Sequence, residues 1–384
     1  MSGKAAGMGG KGLRGQQADA AGAKLLSLEL GRFLAAALVF ICHLAAFLNA
    51  RAATPGERIF GGVSIAGPFG LQYFFVLSGF VMICAHHQDF GEVAAIPRFW
   101  WRRACRIFPC YWLALIIPVW FLYKGMTPGV AWHIVSLQPL PFGRQGYLEY
   151  IQAAWSLRYE MAFYIILGLG MLPYIGKPFL LLLLFVAYWR WCWPWFPFTV
   201  LPFHPPWLLA VNRVVGGHAP DFISFFQYYF FAGLGAGLVF VKARGPGWVW
   251  GLALAAGAAG SFALLPGEDW GATFGTPIHA LFMAVALAGL IAGLAGLERH
   301  GAIRLGRTAV WAGAMSYPLY LFHEPLMMIA GIKYTDNALS MSTLYAYFAI
   351  MAVITLAVTA VVAFLFDRPV QRRLRRLSAR FGWI

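Results

Sequence analysis

Residues 25–50 read LLSLELGRFLAAALVFICHLAAFLNA, an apolar stretch that carries three ionisable side chains, Glu29, Arg32 and His43. The stretch is long enough to cross a bilayer as a helix, because a span needs about 20 apolar residues. A helix places Arg32 and His43 on one face, about 16 Å apart, with Glu29 within reach of Arg32. Ionisable groups in apolar spans are costly and usually line an interior or a wet cavity, so this helix is a functional candidate. A structural ion pair and a hydrogen-bonded histidine are the alternative.

The composition of the whole chain is that of a membrane protein. Its 384 residues are 61% hydrophobic and 11% charged, whereas soluble domains carry about 25% charged residues. The net charge of +15 does not indicate nucleic-acid binding, because the basic residues punctuate the ends of apolar runs, as orientation signals do. The five cysteines lack a paired spacing, so neither a disulfide framework nor a metal site is predicted.

The apolar runs predict an all-α fold, a polytopic bundle of about ten transmembrane helices. The predicted spans are 25–48, 68–85, 104–123, 156–174, 178–196, 222–241, 247–265, 277–297, 310–331 and 342–366. No internal repeat of fixed period is visible, which weakens a transporter interpretation.

Three regions follow from this pattern. Residues 1–24 contain almost no bulky apolar side chains and are predicted to be a disordered cytoplasmic tail. Residues 25–367 form the membrane domain, and 368–384 form a basic cytoplasmic tail. The first run is too long and too charged for the apolar region of a cleaved signal peptide, about 7–15 residues, and is predicted to be retained. Residues 197–221, rich in Pro and aromatic residues, are predicted to be an outer loop or interfacial segment.

The distribution of basic residues predicts the orientation. An even number of spans leaves both termini on one side. With that side inside, 20 lysines and arginines lie in inner segments and 7 in outer segments. The positive-inside rule therefore predicts that both termini are cytoplasmic.

This orientation assigns a depth to the polar residues of three spans. The first span runs outward, so Arg32 lies in its inner half and His43 towards its outer end. By the same argument WSLRYEMAFY starts at the outer end, and SYPLYLFHEP places its last polar residues past the middle of the ninth span. We therefore expect one outer cluster, made of His43, Arg158, Glu160, His323 and Glu324.

The chemistry of these residue types suggests two functions. An imidazole can take a proton from an alcohol, and a neighbouring carboxylate can fix its tautomer. The inner cluster of Arg102, Arg103 and Arg106 offers planar donors suited to phosphate. From the residues alone, the positive-inside rule is the preferred explanation of this cluster, and Arg158 beside Glu160 is equally well explained as a packing ion pair.

Taken together, these segments resemble the acyltransferase-3 family of integral membrane acyltransferases. Arg32 and His43 match its Arg-x10-His pattern, and Arg103 and Arg106 match its Arg-x-x-Arg motif. The matching segments occur in the family's order, as ELGRFLAAALVFICH, YFFVLSGFVM, RFWWRRACRIFPCYWLAL, WSLRYEMAFY, YFFAGLGAGLVF, SYPLYLFH and FDRPVQRRLRR.

The resemblance implies transfer of an acyl group, most commonly acetyl, from cytoplasmic acyl-CoA to a hydroxyl of a cell-surface or exported glycan. It implies residence in a bacterial cytoplasmic membrane, among membrane lipids, with acyl-CoA as donor substrate and no permanently bound cofactor. Carried over by position, His43 is the catalytic residue, and the donor-site candidates are Arg32, Arg103 and Arg106. Glu160 and His323 are further catalytic candidates, and the substrate-binding candidates are Arg158, Glu324, Tyr320 and Ser78.

Two departures from the family pattern bear on the substrate. Met161 follows Glu160 where many members carry Gln, a variant similar to the polysaccharide-modifying branch. Some members also carry a C-terminal soluble domain that completes transfer outside. This sequence shows none after its last span, so relay to a remote acceptor is expected to need a partner protein. The competing interpretation is a transporter or flippase for a polar or lipid-linked substrate, which would use the same buried charges as a translocation path.

Overall fold

The computed structural model describes residues 25–54, 56–61, 67–122, 128–137, 151, 154–192, 226–243, 245–265, 277–331 and 338–380. These residues form an all-helical fold without a β-strand. The predicted tail 1–24 and the predicted loop 197–221 lie outside them. The helices are α1 Leu26–Asn49, α2 Gly67–His86, α3 Ala95–Leu122, α4 Pro128–Val135, α5 Trp155–Gly170, α6 Gly176–Cys192, α7 Phe226–Lys242, α8 Gly247–Ala263, α9 Pro277–Arg299, α10 Arg307–Ile329, α11 Met341–Val361 and α12 Arg368–Arg380. A π-helical segment, Val362–Asp367, joins α11 to α12.

Each of the ten predicted spans overlaps one of these helices, so the helical class is confirmed. Four described segments are long and apolar enough to cross a membrane: Leu26–Asn49, Gly67–His86, His279–Arg299 and the continuous run Met341–Arg380. The count of ten spans and the cytoplasmic termini stay predictions.

Two boundaries differ from the sequence prediction. Helix α3 begins at Ala95, well before residue 104, because Ile96 and Phe99 on its inner face are buried, while Arg98 and Arg102 lie on the exposed face of this amphipathic segment. The residues predicted as a basic tail continue as α12 to Arg380.

Large apolar side chains cover the outside of the bundle. Trp120 is 81% exposed, Leu365 75% and Val353 68%. A bilayer explains this arrangement, since hydrocarbon solvates such side chains while backbone polar groups are satisfied within helices.

Helix ends inside the bundle are bound by charged side chains from other helices. The carboxylate of Glu298 accepts from the backbone N–H groups of Leu26 and Ser27, both at 2.8 Å, at the start of α1. The guanidinium of Arg299 donates to the carbonyl oxygens of Phe240 and Ala243 at the end of α7, at 2.7 and 3.1 Å. These contacts satisfy terminal backbone groups and match the helix dipole.

Helices α2 and α7 cross at a pair of glycines. A Cβ on Gly79 would meet the carbonyl oxygen of Phe230, and a Cβ on Gly233 would meet that of Val76. The two backbones therefore touch, and no side chain fits between them.

We expect Gly79→Ala to lower the free energy of unfolding by about 1–3 kcal/mol, because the added methyl group separates the two backbones. Gly235→Ala is the matched control, since nothing lies within 4 Å of its added Cβ and alanine favours a helix by about 1 kcal/mol over glycine. Thermal unfolding of the detergent-solubilised variants measures both. Equal midpoints for the two variants would contradict the close packing.

Candidate functional site

A histidine pair joins α1 to α10. The Nδ1 atom of His43 lies 2.9 Å from Nε2 of His323 and 3.4 Å from Oε1 of Glu324. His323 is fully buried and Glu324 is 7% exposed, whereas the His43 side chain is 38% exposed. The imidazole of His43 is therefore accessible, whereas its partners His323 and Glu324 are buried.

The hydrogen bonds of the pair fix which ring nitrogens carry protons. His323 Nδ1 lies 3.1 Å from the carbonyl oxygen of Leu319, which only accepts, so we assign its proton to Nδ1. Nε2 of His323 is then an acceptor, and His43 donates to it from Nδ1. The Nε2 atom of His43 is left with a lone pair, which is what a general base needs.

The same three groups are of types that can ligate a metal ion, with their donor atoms all within 4.8 Å of one another. Two imidazole nitrogens bound to one tetrahedral zinc are about 3.3 Å apart, given Zn–N bonds of about 2.0–2.1 Å. The observed 2.9 Å is a hydrogen-bond distance. The geometry therefore favours a hydrogen-bonded pair.

A second polar site occupies the end of the bundle at which α1 begins. It is a cavity of about 710 Å³, within the range of ligand pockets. Six arginines and three carboxylates line it, together with serine, tyrosine and apolar side chains. The charged lining residues are Arg32, Arg103, Arg106, Arg368, Arg372, Arg375, Glu29, Glu160 and Asp367. We call this space the arginine cavity.

The three arginines of the sequence motifs meet in this cavity, and each has a protein partner. Arg32 pairs with Glu29 at 3.5 Å, as the i, i+3 spacing predicts. Arg106 pairs with Asp367 at 3.2 Å, 261 positions away in the chain.

The partner of Arg103 is a histidine at the end of α2. An Nη2 atom of Arg103 lies 3.1 Å from Nε2 of His86, and His86 Nδ1 lies 2.7 Å from Asp89 Oδ2. Arginine only donates, so His86 accepts with Nε2 and donates from Nδ1 to Asp89. The guanidinium also lies over the rings of Phe99 and Tyr164, at 5.5 and 5.7 Å.

The sequence prediction grouped Glu160 and Arg158 with the histidines. The structure brings together His43, His323 and Glu324 and places Glu160 elsewhere. Glu160 lines the arginine cavity, where the hydroxyl of Tyr164 donates to it. Arg158 is half-buried on α5 and is not part of the cavity lining. Glu160 lies five residues, about one and a half turns, into α5 from Trp155. It also faces a different direction from Arg158, because two residues rotate a helix by about 200°.

Tyr320 connects the two sites. It lines the arginine cavity, and its hydroxyl lies 2.6 Å from that of Ser156. Its ring centroid is 6.1 Å from that of His323. Ser78, also predicted from the sequence, lines the same cavity from α2. The histidine pair therefore lies directly beyond one wall of the arginine cavity.

Several residues of this site were not predicted from the sequence. Ser156 lies in the matching segment WSLRYEMAFY, but it has no charge that marked it as a site residue. Asp367 is the last residue of the predicted membrane domain and was not singled out, and the arginines of α12 lie in the segment predicted as a basic tail. The available signal was the spacing of Arg368, Arg372 and Arg375 at i, i+4 and i+7, which puts them on one helix face.

Comparison with known proteins adds a family and a relative. A family model described as an acyltransferase domain, that of the acyltransferase-3 family, matches residues 25–364. The exopolysaccharide production protein ExoZ of Rhizobium meliloti (strain 1021) is 26% identical over 331 residues, which cover 82% of this chain and 93% of that protein. No solved structure gives a significant match.

Proposed function

The chain belongs to the acyltransferase-3 family, and from this we propose that it transfers an acyl group from acyl-CoA to a hydroxyl of an exported glycan. One observation carries the proposal. A phosphate-compatible cavity and a histidine with an available lone pair lie on the two sides of Tyr320, along one face of α1.

The arginine cavity is the proposed donor site. Its excess of guanidinium groups over carboxylates suits the phosphates of CoA, which arginine binds through paired hydrogen bonds. With the predicted orientation, the cavity opens towards the cytoplasm, where acyl-CoA is made. Arg32 and His43 are about 16 Å apart along α1, so an extended thiol arm can carry the thioester from the arginines to the histidine.

His43 is the proposed catalytic residue. Its Nε2 atom takes the proton of the acceptor hydroxyl while the oxygen attacks the thioester carbonyl. The carbon–sulfur bond then breaks, and the same Nε2 returns the proton to the CoA sulfur. Glu324, at 3.4 Å from Nδ1, stabilises the positive charge on His43 between the two transfers. A covalent relay through an acyl group on Nε2 uses the same atom, and both routes are open.

The acceptor is proposed from the relative. ExoZ is named for exopolysaccharide production, and Met161 is the variant similar to the polysaccharide-modifying branch. We propose an exopolysaccharide hydroxyl as acceptor, acetyl as the acyl group, and the cytoplasmic membrane of a bacterium as the location. His323, Glu160, Ser78, Tyr320, Arg158 and Glu324 are the supporting residues of this proposal. A partner protein would complete transfer to a remote acceptor.

The test compares surface glycans from cells with and without the gene. We expect a mass increment in the glycan that disappears on deletion, returns with the wild-type gene, and is removed by mild base, because base hydrolyses esters. An unchanged ester content together with a changed amount of exported glycan would instead support the transporter.

A further inference from the structure

The C-terminal helix α12 is fixed to α3 by two side chains on one of its faces. Pro109 has no N–H, so the carbonyl oxygen of Cys105, four residues earlier, lacks its helical donor. Gln371 donates to that oxygen at 2.9 Å. About two turns further along α12, Ser378 accepts from the indole N–H of Trp101 at 2.8 Å. Helix α12 is therefore part of the bundle.

The start of α12 is held by an ion pair. The π-helical segment ends at Asp367, which is buried and paired with Arg106 at 3.2 Å. A π segment adds a residue to the turn and changes which side chains point inward. The motif arginine Arg106 thus positions α12 at the cavity.

Three arginines of α12 line the arginine cavity. They are Arg368, Arg372 and Arg375. They lie on the helix face next to the one that carries Gln371 and Ser378. Among the residues that the structure describes, no carboxylate lies within ion-pair distance of any of the three. Arg372 and Arg375 are exposed side chains of the helix. Arg368 lies over the Phe364 ring at 5.3 Å, and Nε of Arg372 donates to the carbonyl oxygen of Arg368 at 3.4 Å. Each motif arginine in the cavity, by contrast, has a carboxylate or histidine partner.

Resting on the proposed function, we propose that Arg368, Arg372 and Arg375 are the phosphate-binding face for the nucleotide end of CoA. A guanidinium without a carboxylate or histidine partner gains more from a phosphate than one that already has such a partner. The nucleotide end carries all the phosphates of CoA. With this end bound to α12, the thiol arm of CoA extends past Arg103 towards Tyr320. Arg32, Arg103 and Arg106, which have carboxylate or histidine partners, line the inner part of the cavity.

The experiment measures CoA binding to purified protein in nanodiscs of neutral phosphatidylcholine. We expect R372Q/R375Q to bind CoA about tenfold more weakly than wild type, the loss expected for two partly solvent-exposed charge pairs. The matched control is R373Q/R376Q. It removes the same charge at the same spacing on the same helix, from exposed residues that do not line the cavity, and is expected to stay within about twofold of wild type.

The outcomes separate this inference from the proposed function. Equal CoA affinities for the two double variants, with wild type binding CoA, would overturn the role of α12 and leave the donor assignment intact. Absence of CoA binding by wild type would overturn both. Repeating the titration with phosphatidylglycerol in the nanodisc tests a lipid headgroup as the phosphate source. A difference between the variants that appears only with this anionic lipid would overturn the nucleotide site.

Discussion

Replacing His43 by alanine is expected to abolish ester formation on the glycan while leaving the protein folded in the membrane. The variant removes the only group in the described site with an available Nε2 lone pair, and a positioned base contributes about 10²–10⁴-fold in rate. The side chain is 38% exposed, so its loss leaves little new buried volume. The measurement is the glycan ester content of cells that express equal amounts of wild type and variant.

The control for this variant is His300→Ala. His300 is exposed, directly follows α9, and its side chain hydrogen-bonds to the backbone carbonyl oxygen of Gly245, between α7 and α8, at 3.1 Å. It should retain full ester content. Near-normal acylation by H43A would show that the catalytic assignment is wrong, whatever the folding measurements give.

The second large effect is expected for His323→Ala, a positioning residue in this proposal. Without His323 Nε2, the Nδ1–H of His43 loses the acceptor at 2.9 Å, and the tautomer that leaves Nε2 unprotonated is no longer enforced. Loss of such an orienting partner lowers kcat by about 10²–10⁴-fold. The KM for acyl-CoA should stay near the wild-type value, because His323 does not line the arginine cavity.

Glutamine at position 323 tests whether the effect is orientation or packing. Its side-chain oxygen can accept from His43 Nδ1–H, so H323Q should recover part of the activity that H323A loses. Thermal midpoints of both variants report on the buried volume separately. Equal activity of H323A and wild type would refute the positioning role, and equal loss in H323A and H323Q would refute the hydrogen bond as its basis.

The arrangement of polar side chains along the first helix could be predicted from the sequence, because it depends only on spacing within that helix. The i, i+3 pair of Glu29 and Arg32 and the common face of Arg32 and His43 follow from 3.6 residues per turn. The structure confirms the pair at 3.5 Å. The pairing of His43 with His323, 280 positions apart, was approached only through depth, since both were expected at the outer side.

The position of Glu160 was not predictable in this way. Depth counting from span ends has an error of about a turn, or about 5.4 Å, and it does not show which neighbouring helices the Glu160 side chain faces. The role of α12 was missed because a run of arginines after a span is normally an orientation signal. Nothing local reveals that Gln371 meets a carbonyl oxygen left without a donor by Pro109.

By itself the sequence determined the helical class, the ordered family motifs and the polar face of α1, because apolar run length and helical periodicity are properties of neighbouring residues. The tertiary structure decided which faces meet. Close backbone contact at Gly79 and Gly233, the Arg106–Asp367 ion pair and the docking of α12 on α3 depend on residues far apart in the chain. These contacts build the arginine cavity beside the histidine pair. The periodicity of a helix determines which residues share a face, but only tertiary packing determines which other helix that face contacts.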